Sequence, residues 1–236
     1  MSTVKVWSRF TAHKPGGVIV KLRIQDLSEH QHEELLDFFE KYFICDENFL
    51  KGSGIYKSKD AKEEFRFIFS HLLKDNKMHS VVCCPDEGSG PQPIVGFSGM
   101  YLETEEHSKV VEESQIQTPE VKKLFHILTT ANDLFIATEK LGISKYYSGR
   151  GIVVHPDYRG LGIAKEIVKG RRVISKEHGA QATGAWMTSL GTQIAAERDR
   201  WEVVYQMPFK KFGEMVDIDF DAAPPILKMM VARVAE

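Results

Sequence analysis

Apolar positions along the chain follow two rhythms, and the switches between them divide it into elements. Residues 17–23 (GVIVKLR) predict a first strand, after a loosely held start over 1–16. Leu35, Leu36, Phe39 and Phe43 share one face at helical spacing, which predicts a helix over 29–43. Ser28 with Gln31 three residues on reads as a capping box at its start. Phe65, Phe67, Ile68, Leu72 and Leu73 predict a second amphipathic helix over 60–75. Apolar runs at 79–84 and 94–102 read as strands joined by a loop rich in Gly, Pro and Ser. The polar stretch 103–118 reads as a surface insertion, and Pro119 suits the first turn of a long helix over 119–140. A central strand follows over 145–154, then a helix, a strand over 182–187 and a short helix over 190–198. Residues 202–208 and 226–234 close the chain as a pair of strands. Strands alternating with helices predict an α/β sheet of about seven strands.

The densest chemistry lies in 151–172, GIVVHPDYRGLGIAKEIVKGRR. Ile152, Val153 and Val154 are consecutive β-branched residues, the pattern of a strand buried on both faces. Pro156 ends it, because Pro lacks an N–H and fixes φ. Arg159-Gly160-Leu161-Gly162-Ile163-Ala164 then runs into a helix whose apolar positions include Ala164, Ile167, Val168 and Ile174. A strand, a glycine loop and a helix start make an anion site, because free N–H groups converge at the positive end of the helix dipole. Gly160 and Gly162 let the backbone approach a ligand with no Cβ in the way. The Walker loop is excluded, since Ala164-Lys165-Glu166 stands where Gly-Lys-Ser/Thr is needed. The dinucleotide fingerprint fails at its third glycine, where Lys165 stands.

Composition narrows the function classes. The 236 residues are 42% hydrophobic and 27% charged, enough for a sizeable core in one domain spanning 1–236. A net charge of −2 gives no reason to expect nucleic acid or an anionic membrane. No apolar run has the length of a membrane span, and the N-terminus lacks a signal-peptide core. Cys45, Cys83 and Cys84 cannot all pair, and no CxxC spacing points to zinc. Reduced thiols, a cytoplasmic protein, no metal and a monomer are the expectations.

Arg159 to Ala164, directly after VVHPDY, matches Arg-x-x-Gly-x-Ala and resembles the acetyl-CoA loop of the GNAT N-acetyltransferase superfamily. Over 21–233 the chain further resembles the insect arylalkylamine N-acetyltransferases. The anchors are FFEKYFICDEN, YYSGRGIVVHPDYRGLGIAKEI and ATGAWMTSLGTQIAAERDRWEVVYQM. Asp46-Glu47-Asn48 stands where that family usually reads Asp-Glu-Pro, its Glu the general base. Thr188-Ser189 matches the family's Thr-Ser, and Arg200-Trp201 replaces a usual Gly-Phe, removing a glycine helix cap. The resemblance implies a mixed, twisted sheet with helices on both faces, in which 147–154 and 182–187 splay apart.

It also implies a chemistry: transfer of acetyl from acetyl-CoA to a small primary amine such as dopamine, tyramine, serotonin, agmatine or a polyamine. N–H groups of Arg159, Gly160, Leu161, Gly162, Ile163 and Ala164 would meet the pyrophosphate, and Ile152 and Val154 would pair with the pantetheine arm. An alkylamine has a pKa of about 10.4, so only roughly one molecule in a thousand is neutral near pH 7.4. Glu47 would remove its proton, the Val153 N–H would meet the oxyanion, and Ser189 or Thr192 would assist the leaving thiolate. Ser189 also suits the N-cap of the following helix. Two other functions fit the same loop: acetylation of a protein or peptide, and acyl-CoA binding without catalysis.

Overall fold

The computed structural model describes residues 4–14, 16–88, 92–104 and 113–234. Eight strands form one sheet: β1 (Val6–His13), β2 (Ile19–Asp26), β3 (Met78–Pro85), β4 (Gly96–Thr104), β5 (Lys145–Val154), β6 (Ala182–Met187), β7 (Glu202–Pro208) and β8 (Ile226–Arg233). Their order is β1-β2-β3-β4-β5-β6-β8-β7, and only β5 and β6 run parallel. Eight described helices accompany them: α1 (His32–Tyr42), α2 (Asn48–Ser53), α3 (Lys59–Leu72), α4 (Pro119–Leu134), α5 (Ala137–Leu141), α6 (Ile163–Glu177), α7 (Leu190–Arg198) and α8 (Phe209–Val216).

The core has two layers because both faces of the sheet are apolar. On one face Leu35, Phe39, Phe69, Ile127 and Phe212, from α1, α3, α4 and α8, pack over Val82, Phe97 and Val153. On the other, Ile163, Ile167 and Ile174 of α6 pack over Leu22, Ile24, Val81 and Met100. The mixed α/β architecture with helices on both faces is the expected one, with eight strands where the pattern predicted seven.

Several boundaries differ, each for a physical reason. Part of the start expected to be loose is β1, an edge strand paired with β2 from Val6–Gln25 to His13–Ile19. Ser28 makes no capping bond; its hydroxyl donates to the Gln31 side chain (3.2 Å), and a 3-10 turn precedes α1. The long helix over 119–140 is two helices, because buried Phe135 is extended (φ −153°) and breaks the ladder. The short helices α2 and α8 lie where no helix was predicted. Of the expected insertion over 103–118, residues 105–112 lie outside the described residues.

Candidate active site

The centre of the sheet opens. β5 and β6 pair only through Tyr146–Ala182, Tyr147–Thr183 and Ser148–Gly184. Beyond these rungs β5 continues to Val154 and β6 to Met187 with no mutual pairing. The splay expected for these strands is present, and β5 shows its cause. Ser98 pairs with Ile152 and Met100 with Gly149, so two steps on β4 face three on β5: a bulge. Gly151 in that bulge has φ +98°, and a Cβ there would lie 2.8 Å from the Phe43 ring.

The glycine loop sits at the end of β5. His155 caps a 3-10 turn (Pro156–Tyr158), its Nδ1 accepting from the Asp157 N–H at 3.2 Å. Gly160 and Gly162 have φ +78° and +81°, with open space where a Cβ would stand. Glycine is therefore required by the left-handed backbone, not by a crowding neighbour. The first helical bond of α6 runs from the Glu166 N–H to the Gly162 carbonyl (3.1 Å). The N–H groups of Ile163, Ala164 and Lys165 precede it and have no intrahelical partner. Buried Ile163 (1% exposed) anchors that turn in the core, while Gly160 and Gly162 are exposed. Ile152 and Val154 are half-buried along the opening, and Val153 is buried against the opposite core.

The second half of the site comes from 46–48, and it spans the mouth of the opening. Arg159 donates to the Val154 carbonyl (3.2 Å) and to Asp46 (2.7 Å), tying this segment to the end of β5. Glu47 accepts from the Thr188 hydroxyl (2.7 Å), and the Asn48 side chain donates to the Thr188 carbonyl (2.6 Å), tying it to the end of β6. Glu47 also caps α2, accepting from the Leu50 N–H at 2.9 Å. Burial pushes the Glu47 carboxyl above the usual carboxylate range, although the Thr188 hydroxyl and the N–H groups of Leu50 and Phe49 stabilise its charged form. The residue as a whole is half-buried. A carboxylate with a raised pKa, fixed by three donors, can accept a proton.

Ser189 follows directly. It caps α7, its hydroxyl lying 3.3 Å from the Thr192 N–H and 2.9 Å from the Thr192 hydroxyl, which in turn donates to the Ser189 carbonyl (3.0 Å). Both hydroxyls thus belong to the α7 cap, next in sequence to the residue that holds Glu47. Thr188 itself was not among the expected site residues; its place beside Ser189 was the available signal. The end of α7 closes with bonds from Arg200 N–H to Glu197 and from Trp201 N–H to Ala196, the pattern glycine usually completes. Here Arg200 takes the left-handed conformation (φ 59°), which costs a non-glycine residue about 1–2 kcal/mol.

An aromatic cluster packs α2 against α8 in the core. Phe49 of α2 lies 5.4 Å from Phe212, 6.3 Å from Phe209 and 6.2 Å from Phe220 between ring centres. Trp186 on β6 meets Tyr205 edge-on at 5.8 Å. Among the described residues, no helix is long and apolar enough to cross a membrane.

No family model matches the chain, and no curated protein matches it significantly. Solved structures do. The protein named arylalkylamine N-acetyltransferase 7 of the yellow fever mosquito superposes with a TM-score of 0.86 at 22% identity, over 98% of this chain and 96% of its own. Arylalkylamine N-acetyltransferase 2 of Aedes aegypti gives 0.70 at 18% identity, covering 91% of this chain and 99% of its own. A polyamine N-acetyltransferase of Drosophila melanogaster, described as forming N-acetylagmatine, gives 0.67 at 13% identity over 90% and 100%. The eight-stranded sheet split between β5 and β6 is thus the GNAT fold of these N-acetyltransferases.

Proposed function

We propose that residues 1–236 form a single acetyl-CoA-dependent N-acetyltransferase domain acting on a small primary amine by direct transfer. One observation carries this reading: the segment bearing Glu47 bridges the mouth of the β5–β6 opening, bonded to Thr188 on one side and to the glycine loop on the other. The N–H groups of Ile163 and Ala164, with those of Arg159 to Gly162, bind the pyrophosphate at the start of α6. The pantetheine arm pairs along Ile152 and Val154, as an added strand pairs with an edge. That places a thioester beneath Glu47.

Glu47 takes the proton from the ammonium, directly or through a water, and the neutral amine attacks the thioester carbonyl. The Ser189–Thr192 hydroxyl pair orients a donor toward the departing thiolate. The Val153 N–H, expected at the oxyanion, instead faces β4, because Val153 pairs with Phe97 in step with the His155 N–H bond to Val95; stabilising the oxyanion falls to N–H groups on the open edge of β5. Every residue used comes from one chain, so a monomer suffices. The three free thiols suit the cytoplasm.

The test is thiol release from acetyl-CoA with tyramine, dopamine, serotonin, agmatine, spermidine and a set of N-terminal peptides. Turnover on an arylalkylamine supports the reading. Turnover on peptides alone, or acetyl-CoA binding with no turnover on any amine, rejects it.

A further inference from the structure

Arg171 of α6 is 1% exposed, the largest of the fully buried side chains, and lies directly under the β5 bulge. Its Nε donates to the Ser98 hydroxyl (2.9 Å), and Nη2 donates to the carbonyls of Gly99 (3.1 Å) and Gly151 (2.9 Å). Those two carbonyls flank the register break, where the regular β4–β5 ladder is interrupted. Nη1 reaches toward β6: a Cβ on Gly149 would lie 2.5 Å from it and 2.6 Å from the Ala185 methyl. It is buried and makes no hydrogen bond. Gly149 is the first residue of β5 beyond the last rung with β6. One planar cation therefore bonds both β4 and β5 at the point where β5 parts from β6.

A buried guanidinium held only by a hydroxyl and carbonyls is an expensive way to fill a core. Methionine would occupy similar space at no electrostatic cost. Burial lowers its pKa only to about 10, so the charge persists at neutral pH. What methionine lacks is a rigid fork able to satisfy two carbonyls turned out of a ladder.

We propose that Arg171 is a positioning residue for the acyl donor: it holds the β5 bulge through the Gly151 and Gly99 carbonyls, keeps β5 and β6 apart, and so sets the seat of the thioester. This rests on the functional reading above. The residue acts through the backbone of β5, at the pantetheine end of the site and away from the start of α6, where the phosphates would bind.

The two ends of the donor separate this role from a general structural one. Arg171→Lys and Arg171→Met are titrated calorimetrically, as full-length chains, with acetyl-CoA and with adenosine 3′,5′-bisphosphate, which carries phosphates but no pantetheine. Arg171→Met is expected to weaken acetyl-CoA binding at least 10-fold and Arg171→Lys less, with bisphosphate affinity unchanged within about twofold. Should Arg171→Met fail to fold, Ser98→Ala takes its place, with a loss of a few-fold confined to acetyl-CoA. Equal weakening of both ligands, or no weakening of either in folded variants, overturns the proposal. Failure of the unaltered chain to bind acetyl-CoA overturns the functional reading and this inference with it.

Discussion

The two halves of the site are built by opposite means. The half proposed to bind the donor, 152–164, is a single run of chain that offers backbone N–H groups, oriented by two left-handed glycines and the first turn of α6. The half proposed to serve the amine is made of side chains from segments 141 positions apart, Glu47 and Thr188, joined by one 2.7 Å hydrogen bond. A backbone site tolerates most side-chain changes but not a change of φ. A side-chain site fails when one group is lost.

That contrast ranks the expected effects. Glu47→Ala should lower kcat by about 10²–10⁴, the usual contribution of general acid–base catalysis, with donor affinity unchanged. Its loss should shrink as pH rises and free amine accumulates; wild-type kcat at pH 7 would remove Glu47 as the base. Because burial raises this pKa, the activity limb should fall at a higher pH than for an ordinary carboxylate. The same shift gives stability a sign. The folded chain holds this proton more tightly than the unfolded one, so the stabilisation is fully present below the unfolded value and is lost as pH rises through the folded one. Glu47→Gln should flatten that slope in melts run across pH.

Gly162→Val attacks the other half. A β-branched residue at φ +81° is strained whatever the space, so the loop should shift and acetyl-CoA affinity should drop about 10-fold or more at unchanged amine KM. Calorimetry on the folded variant decides, and unaltered affinity would dissociate the loop from donor binding. Ser189→Ala should cost on the order of 10-fold in kcat, or ~1.4 kcal/mol, along with about 1 kcal/mol of stability from the lost cap. A lowered Tm with intact kcat would leave Ser189 a cap alone and make Thr192 the remaining hydroxyl. Asp46→Asn, which breaks the half-exposed tie between the halves, should change stability by less than about 1 kcal/mol and be salt-sensitive. A loss of kcat comparable to that of Glu47→Ala would show that the tie, not the carboxylate alone, positions the base.

How much of this was legible in the sequence follows the same divide. Residues 152–164 could be read because glycine spacing, β-branched residues and a helix start are local signals. The half proposed to serve the amine was reached through resemblance alone, since nothing near Glu47 distinguishes it from a solvated loop carboxylate. Its bond to Thr188 is a product of the fold. α2 has six residues and is held by its cap and by buried Phe49 and Leu50, too short for periodicity to register. α8 did carry a signal, Phe209, Phe212, Gly213 and Val216 at helical spacing, which the adjacent strand pattern obscured. The break after α4 has neither Gly nor Pro; burial of Phe135 dictates it. Arg200 shows the converse, with tertiary packing imposing on arginine a conformation that local preference assigns to glycine.

The three rungs between β5 and β6 also have a mechanical meaning. They join two leaves, β1 to β5 on one side and β6, β8 and β7 on the other, each stitched internally by longer antiparallel ladders of up to eight residue pairs. The seam, with the shortest ladder of the sheet, is where local opening is expected before either leaf frays. An extended ligand laid along β5, as proposed, would add hydrogen bonds at the shortest ladder of the sheet. On the proposed function, occupancy would work like mortar in a joint: it would stiffen the sheet along its shortest ladder, and each release would free that seam for the next round.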